Sequence, residues 1–589
     1  MLKILKKMNL LLDQKQKRTM LGLIVMMLFG GVLESLGISM LVPIVTVVMD
    51  PVAVQESELL SAVYEMLGME SSVQFAMFLL LAFVGMTVLK NIYLFCQQKV
   101  QLKFVYTNQF ATSRRMMINF MQRPYEYYLN ADTSVIQRNI TSDVNNMYGL
   151  ILSCLQLFSE AIVFICLVAA LFIYSDAVMI MFVAALMVAL LFIIKKVLKP
   201  IMTKAGQDNQ DYYSGLYKWI EQSVMGIKEI KIANKENYFI NAYAKCGEGY
   251  VNSVQKYNLF NATPRLLIET VCIGGMVGYF VITLGQGTQI KELVPQLTAL
   301  AAAAMRLLPS VNRINNYQTS ISYFEPFFMG VSDNLQEEIH DGTVTYDAAV
   351  YRQKKEVEKL EVTREIRLEN ITYKYPNTNV LIFDHADMNI PIGSSVGIVG
   401  TTGAGKSTIV DILLGLLQIE EGSILADGQD VREHYASWLK NVGYIPQTVF
   451  MIDDSIRKNV AFGYPEEEID DEKVWRALEE AQLDTFVRGL PEGLDTSIGE
   501  RGIRISGGQR QRISIARALF EDPEVLVLDE ATSALDNETE AAIMDSINRL
   551  HGKKTLIIIA HRLQTIEKCD MVYRVEEGKI SRVREAKGK

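Results

Sequence analysis

Apolar residues gather in six long blocks over the first half of the chain, near 19–48, 74–97, 146–174, 177–198, 265–287 and 292–317. Each covers about 30 Å of hydrocarbon at about 1.5 Å per residue. Core helices of soluble proteins seldom stay apolar that long, so the blocks predict six membrane-spanning helices. The connections 98–138 and 195–265 are too long to be simple loops. They predict helical extensions of the spans, broken near Arg123-Pro124 and Met225-Gly226, with short docking elements at 125–133 and 228–237. An outer-loop segment, 57–67, is amphipathic, with Leu59, Leu60, Val63, Tyr64 and Leu67 on one face. It suits the membrane surface or the ends of the spans. A charged stretch, 330–363, follows the last block, and Arg352–Lys359 within it reads as a solvated linker helix. From Arg364 onward short apolar strands alternate with helical segments, the pattern of an α/β domain. The expected domains are 1–329, 330–363 and 364–589.

Charge sharpens this division. Of 58 Lys and Arg and 67 Asp and Glu, residues 1–320 hold 27 and 20, and the rest hold 31 and 47. The basic half is therefore also the apolar half. No Lys or Arg occurs between Thr19 and Leu89, Asn139 and Ile194, or Leu266 and Ile290. The long connections are rich in both. By the positive-inside rule those connections and both termini face the cytoplasm. The basic, amphipathic N-terminus lacks a small-residue cleavage site, so no removable signal peptide is expected. Six cysteines (Cys96, Cys154, Cys166, Cys246, Cys272 and Cys569) show no paired spacing and read as reduced, packed thiols. Nothing in the pattern calls for nucleic acid.

The second half carries the chemistry. Gly400, Thr401, Thr402, Gly403, Ala404, Gly405, Lys406, Ser407 and Thr408 fit G-x-x-x-x-G-K-[ST] between an apolar strand and a helix start. Glycines let backbone N–H groups wrap phosphate oxygens, and the helix N-terminus adds positive potential. Lys406 is placed for the β- and γ-phosphates, and Ser407 for Mg²⁺. The strand 525–529 ends in Asp529 and Glu530. Asp529 suits Mg²⁺ through water, and Glu530 suits polarising an attacking water, the two needs of phosphoryl transfer.

Further motifs bring a resemblance. Ser506, Gly507, Gly508 and Gln509 lie in ISGGQRQR, SALD at 533–536 ends in Asp536, and Gln447 and His561 follow apolar strands. The chain resembles an ATP-binding cassette (ABC) transporter, an exporter-type half-transporter, over essentially its whole length. The resemblance implies an all-α six-span transmembrane domain of the type IV exporter fold, followed by an α/β P-loop NTPase. It casts 505–512 as the family signature, with Ile505 where Leu is usual, and 533–536 as the D-loop. Gln447 matches the glutamine sensing Mg²⁺ and γ-phosphate. His561 matches the switch histidine. Tyr375 matches the aromatic that stacks on adenine, with Tyr373 the alternative register. Glu500-Arg-Gly502 resembles a segment that touches the membrane domain. The resemblance also implies a second copy, because Ser506 and Gly508 contact ATP held on the partner's loop. ATP and Mg²⁺ are the implied cofactors.

Cargo is read from the spans, where ionisable side chains are costly and usually functional. Lys90 and Arg306 lie about 24 Å and about 21 Å from the outer ends of the second and sixth spans. Arg265 and Arg313 lie near the cytoplasmic ends of the fifth and sixth. Duplicated by a dimer axis, these cations form a ring suited to an anionic head group. Glu269 is an internal partner that competes with this reading, and Arg313 has the option of snorkelling to lipid phosphates. Glu34 and Gly37 of the first span read as helix-packing residues. The segments 264–269 and 304–313, with the outer amphipathic helix, are similar to bacterial PglK-type flippases of lipid-linked oligosaccharides. That similarity implies a polyprenyl-pyrophosphate-linked glycan, moved from the inner to the outer leaflet of a bacterial inner membrane. Export of a peptide, lipid or drug, and a membrane protein that only senses ATP, are the alternative readings.

Overall fold

The computed structural model describes residues 2–39, 64–66, 68, 72–174, 177–285, 290–341, 357–530, 541, 543–545, 547, 549–559 and 566–585. The chain divides into two compact units, 1–123 with 131–348 and 124–130 with 349–589.

The first unit is helical. Its elements are α1 (Leu2–Leu11), α2 (Gln14–Ser39), α3 (Ser72–Gln122), α4 (Tyr125–Tyr128, given over to the second unit), α5 (Thr133–Arg138), α6 (Val144–Tyr174), α7 (Ala177–Met225), α8 (Ile227–Ala233), α9 (Glu236–Gly285) and α10 (Ile290–Asp341). Helix α3 has 51 residues, about 76 Å at 1.5 Å per residue, more than twice the hydrocarbon thickness. The long connections are thus continuations of the spans. Helices end at Gln122 and Met225, beside the expected breaks. Among the described residues, 14–33, 73–122 and 133–166 are long and apolar enough to cross a membrane. The other expected spans lie on α7, α9 and α10, where many side chains are outside the described set.

Small residues bring the first span close to its neighbours at Gly30 and Gly31. A Cβ on Gly30 would fall 2.4 Å from Gln97 Oε1 of α3, and one on Gly31 would fall 3.3 Å from Ile162 and Val163 of α6. The backbone of α2 is therefore tight against two neighbours. The side chains of Glu34 and Gly37 lie outside the described set, as do Leu59, Leu60, Val63 and Leu67. Between α5 and α6 the helix widens into a π turn, Asn139–Asp143. Buried Asp143 accepts there from Arg138 Nε and Gln210 Nε2, each at 3.1 Å.

Parts of the expected linker are described. Helix α10 runs through 329–330 without a break and reaches Asp341, because its turns continue to bury Val331, Ser332 and Leu335. Residues 357–359, the described end of the expected linker helix, are irregular, and Lys359 Nζ donates to the Asp522 carbonyl.

The second unit is α/β. Strands β1 (Glu365–Lys374), β2 (Leu381–Pro391), β4 (Glu421–Ala426) and β5 (Gln429–Asp430) form an antiparallel sheet in the order β2-β1-β4-β5. Strands β3 (Ser395–Val399), β6 (Val442–Ile445), β7 (Val525–Asp529), β8 (Thr555–Ile559), β9 (Met571–Glu576) and β10 (Lys579–Glu585) form the second sheet, in the order β10-β9-β3-β8-β7-β6. Its pairings are parallel from β9 to β6, and β10 runs antiparallel on the edge. Strands β7 and β8 are buried at every residue, as expected where both faces of a parallel sheet are covered. Helices α11 (Lys406–Leu413), α12 (Asp471–Glu480) and α13 (Gly507–Leu519) complete the frame. Asp470 caps α12, accepting from Glu472 N at 3.0 Å, and Asp471 and Glu472 complement the dipole of its first turn.

Candidate nucleotide site

The loop 400–405 leaves β3 and enters α11 at the carboxyl end of the parallel sheet. Gly405 holds φ +103° as the residue before the helix, a conformation strained for any side chain. A Cβ on Gly400 would sit 2.4 Å from the Val575 carbonyl, so this position also requires glycine. Lys406 is buried and donates from Nζ to the carbonyls of Gly400 (3.2 Å) and Thr401 (3.1 Å). Its ammonium thus lies inside the curve of the loop. Ser407 Oγ donates to Asp529 Oδ1 at 3.2 Å. Tyr375 stands against the same turn, its hydroxyl 2.8 Å from Thr408 Oγ1. Tyr373 is fully buried in the core between the sheets, which closes it to a base.

Parallel register brings the acidic pair to this loop. Asp529 pairs with Ile559, and Glu530 N donates to the Ile559 carbonyl at 3.1 Å, with Glu530 itself at φ +49°. Gln447 Nε2 donates to Glu530 Oε2 at 2.7 Å. Burial pushes the Asp529 carboxyl above its ordinary range, and the Glu530 charge adds to this. Asp411, one and a half turns into α11, rises to about 6 through burial and the nearby Asp529. The site thus carries more acid than the motif residues alone, and sequence reasoning passed over Asp411. The signal was present: an acid within an apolar helix start, Ile409-Val-Asp-Ile-Leu413.

Ser506 begins α13 with a reciprocal cap. Gln509 N donates to Ser506 Oγ (3.2 Å), and Ser506 N donates to Gln509 Oε1 (2.8 Å). Ser506 and Gly507 are exposed. Just before them, Arg510 Nη1 holds the carbonyls of Gly502 (3.2 Å) and Ile505 (2.9 Å), fixing the turn at Glu500–Gly502. His561 and the segment 533–536, with Asp536, lie outside the described residues. Within this unit α4 is also seated: Glu126 Oε1 accepts from Gln418 N at 2.8 Å.

Family comparison agrees with this geometry. The model for the ABC transporter domain matches residues 383–533, and that for the ABC transporter transmembrane region matches 20–282. An ATP-dependent lipid A-core flippase of Photorhabdus laumondii is 30% identical over 476 residues, which cover 79% of this chain and 78% of that one. The chain belongs to the ABC transporter family. This ABC transporter joins one helical membrane region to one ATPase domain, and it binds ATP and couples its hydrolysis to transport. Escherichia coli has a protein of the same description that is 38% identical over 280 residues, 47% of this chain and 45% of its own. The fold of this chain matches a solved bacterial Atm1-family ABC exporter with ATP bound, at TM-score 0.73 and 23% identity, covering 97% of this chain and 95% of that one.

The membrane candidates are dispersed over three helices. Lys90 is half-buried on α3, and Arg265 and Glu269 are exposed on α9. Arg306 lies on α10, with its side chain outside the described set. Arg313 is ion-paired: its Nε and Nη2 donate to the Oε2 and Oε1 of Glu160 on α6, at 2.8 and 2.9 Å. Sequence reasoning weighed Glu269 as a partner for Arg306 or Lys90, and lipid phosphate for Arg313, but missed Glu160. The sign available for it was strong, because Glu160 is the only acid in the apolar run 144–174.

Proposed function

We propose that this transporter moves an anionic glycolipid, of the polyprenyl-pyrophosphate-linked oligosaccharide kind, from the inner to the outer leaflet of a bacterial inner membrane. The carrying observation is the extended identity to a protein named as a lipid A-core flippase. Exposed Arg265 adds charge that an anionic head group needs, and half-exposed Arg313, though paired with Glu160, adds a guanidinium. The termini and the ATPase domain lie in the cytoplasm, from the placement of Lys and Arg.

ATP would replace the loop carbonyls as partner of Lys406, with its phosphates on the backbone N–H groups of 400–408 and its adenine on Tyr375. Ser407, Asp529 and Gln447 offer the oxygen donors that a hard cation such as Mg²⁺ prefers, and Ser407 and Asp529 already meet at 3.2 Å. Bound there, Mg²⁺ would offset the charge of the phosphates. Glu530 orients the attacking water, and Gln447, hydrogen-bonded to it, carries the state of the site toward the loop that follows β6. His561 completes the γ-phosphate contacts. The exposed start of α13 at Ser506–Gly508 serves ATP on a second copy's loop, so the working unit is a homodimer.

Proteoliposome assays test the cargo. A polyprenyl-pyrophosphate oligosaccharide should stimulate ATP turnover and become accessible at the lumenal side of inside-out vesicles, whereas phosphatidylcholine should do neither. Stimulation by lipid A-core alone would replace the head group assigned. Stimulation by peptides or drugs alone would remove the glycolipid reading.

A further inference from the structure

Burying an ion pair in a membrane helix needs a reason beyond stability, because two desolvated charges hold a fold no better than an apolar pair of the same size. The Glu160–Arg313 pair joins α6 to α10 inside unit one. The Glu160 side chain is 10% exposed and that of Arg313 43% exposed, so the acid lies behind and the base looks outward. Both carboxylate oxygens are engaged. Oε2 accepts from Nε, and Oε1 accepts from Nη2 and also from the hydroxyl of fully buried Ser310, one turn earlier on α10. This side-on, two-point contact fixes the plane of the guanidinium as well as its position.

We propose that Glu160 is a positioning residue. It holds Arg313 rigidly at the edge of the membrane unit, so that the guanidinium meets a phosphate or pyrophosphate head group in a fixed orientation. Ser310 keeps the carboxylate from turning. The pair is neutral as a whole, which lowers the cost of keeping it in the span, and selectivity for an anion comes from oriented N–H donors more than from net charge. Lys could not replace Arg313 here, because a point charge does not transmit an orientation. This inference rests on the anionic-cargo reading above.

The test measures equilibrium binding of a polyprenyl pyrophosphate to the full-length purified protein by native mass spectrometry, together with the lipid dependence of ATP turnover. Glu160→Ala should raise the half-saturating lipid concentration about tenfold or more, the scale expected when a binding group loses its orientation, while the maximal stimulated rate holds. Glu160→Gln, which keeps one acceptor oxygen, should fall between Ala and wild type. Arg313→Ala combined with Glu160→Ala should bind no more weakly than Arg313→Ala alone, because the acid acts only through the base. Additive losses in the double variant, or unchanged lipid binding in both Glu160 variants, would overturn the proposal and leave the cargo reading standing. If Glu160→Ala fails to assemble, Glu160→Gln carries the same comparison. Absence of binding by the wild type would remove the cargo reading, and Glu160's role with it.

Discussion

Two short helices at the ends of the long ones can be set side by side. The first, α4, is part of the ATPase unit: Glu126 receives a backbone hydrogen bond from Gln418, and the negative charge of Asp411 reaches Tyr125, whose phenol is raised mainly by burial. The second, α8, is a similar short helix, closed by Asn234 in the left-handed conformation. Ile230 on it is buried, but Ile232 is 77% exposed, and Val224 and Met225 at the end of α7 are 60% and 57% exposed. Beneath them Trp219, Phe239 and Ile230 line a shallow apolar hollow of about 390 Å³. Among the described residues one tip is hydrogen-bonded within its unit, and the other leaves apolar side chains exposed. The contrast teaches that two short helices of similar length differ in how much of their surface is covered, and the exposed one suits the homodimer proposed above.

The comparison can be broken at several points. The largest effect concerns the ATPase itself: Glu530→Gln should lower ATP turnover by about a hundredfold or more while ATP binding is kept, the scale for losing a catalytic base or an oriented nucleophile. Filter binding beside phosphate release checks it. Ile232→Asp on α8 should abolish coupled transport with little change in the melting temperature of the purified chain, since the residue touches little within it. Unchanged flipping in proteoliposomes would show that α8 needs no partner. Glu126→Ala on α4 should cost about 1.5–3 kcal/mol of local docking energy, typical of a hydrogen bond to a charged group. Lipid stimulation of ATP turnover should weaken while unstimulated turnover persists.

The smallest effect lies at the first strand. Asp427 accepts from the backbone N–H groups of Thr363, Arg364 and Glu365, which together outweigh the opposing effect of desolvation and hold its carboxyl down at about 2. A folded-state value below the unfolded one means stability that is full above about pH 4 and is lost as the pH falls through about 2. Asp427→Asn should lower the melting temperature slightly at pH 7 and flatten its decline in acid, as read by scanning calorimetry.

Legibility in the sequence followed the same division. Lys406, Ser407, Asp529 and Glu530 could be read because a phosphate loop and an acid-terminated strand demand fixed residues at fixed spacing, and the fold then brings Ser407 to Asp529 and Gln447 to Glu530. The spans could be read because hydrocarbon thickness sets their length. Partnerships between spans could not, because helix azimuth decides whether Arg313 faces Glu160 or lipid phosphate, and nothing local fixes azimuth across separate helices. The helix through 330–335 was hard to read for a related reason: which of its residues are buried, Val331, Ser332 and Leu335, depends on the neighbours that α10 meets.

The π turn at Asn139–Asp143 has a consequence for that azimuth. Each residue of a regular helix advances the phase by about 100°, and a π turn holds one residue more than its neighbours. Everything beyond the turn on α6 is therefore dialled round relative to α5, Glu160 included. Removing a single residue there would leave the third span as apolar and as long as before. It would turn the carboxylate away from Arg313, a change of aim without any change of composition.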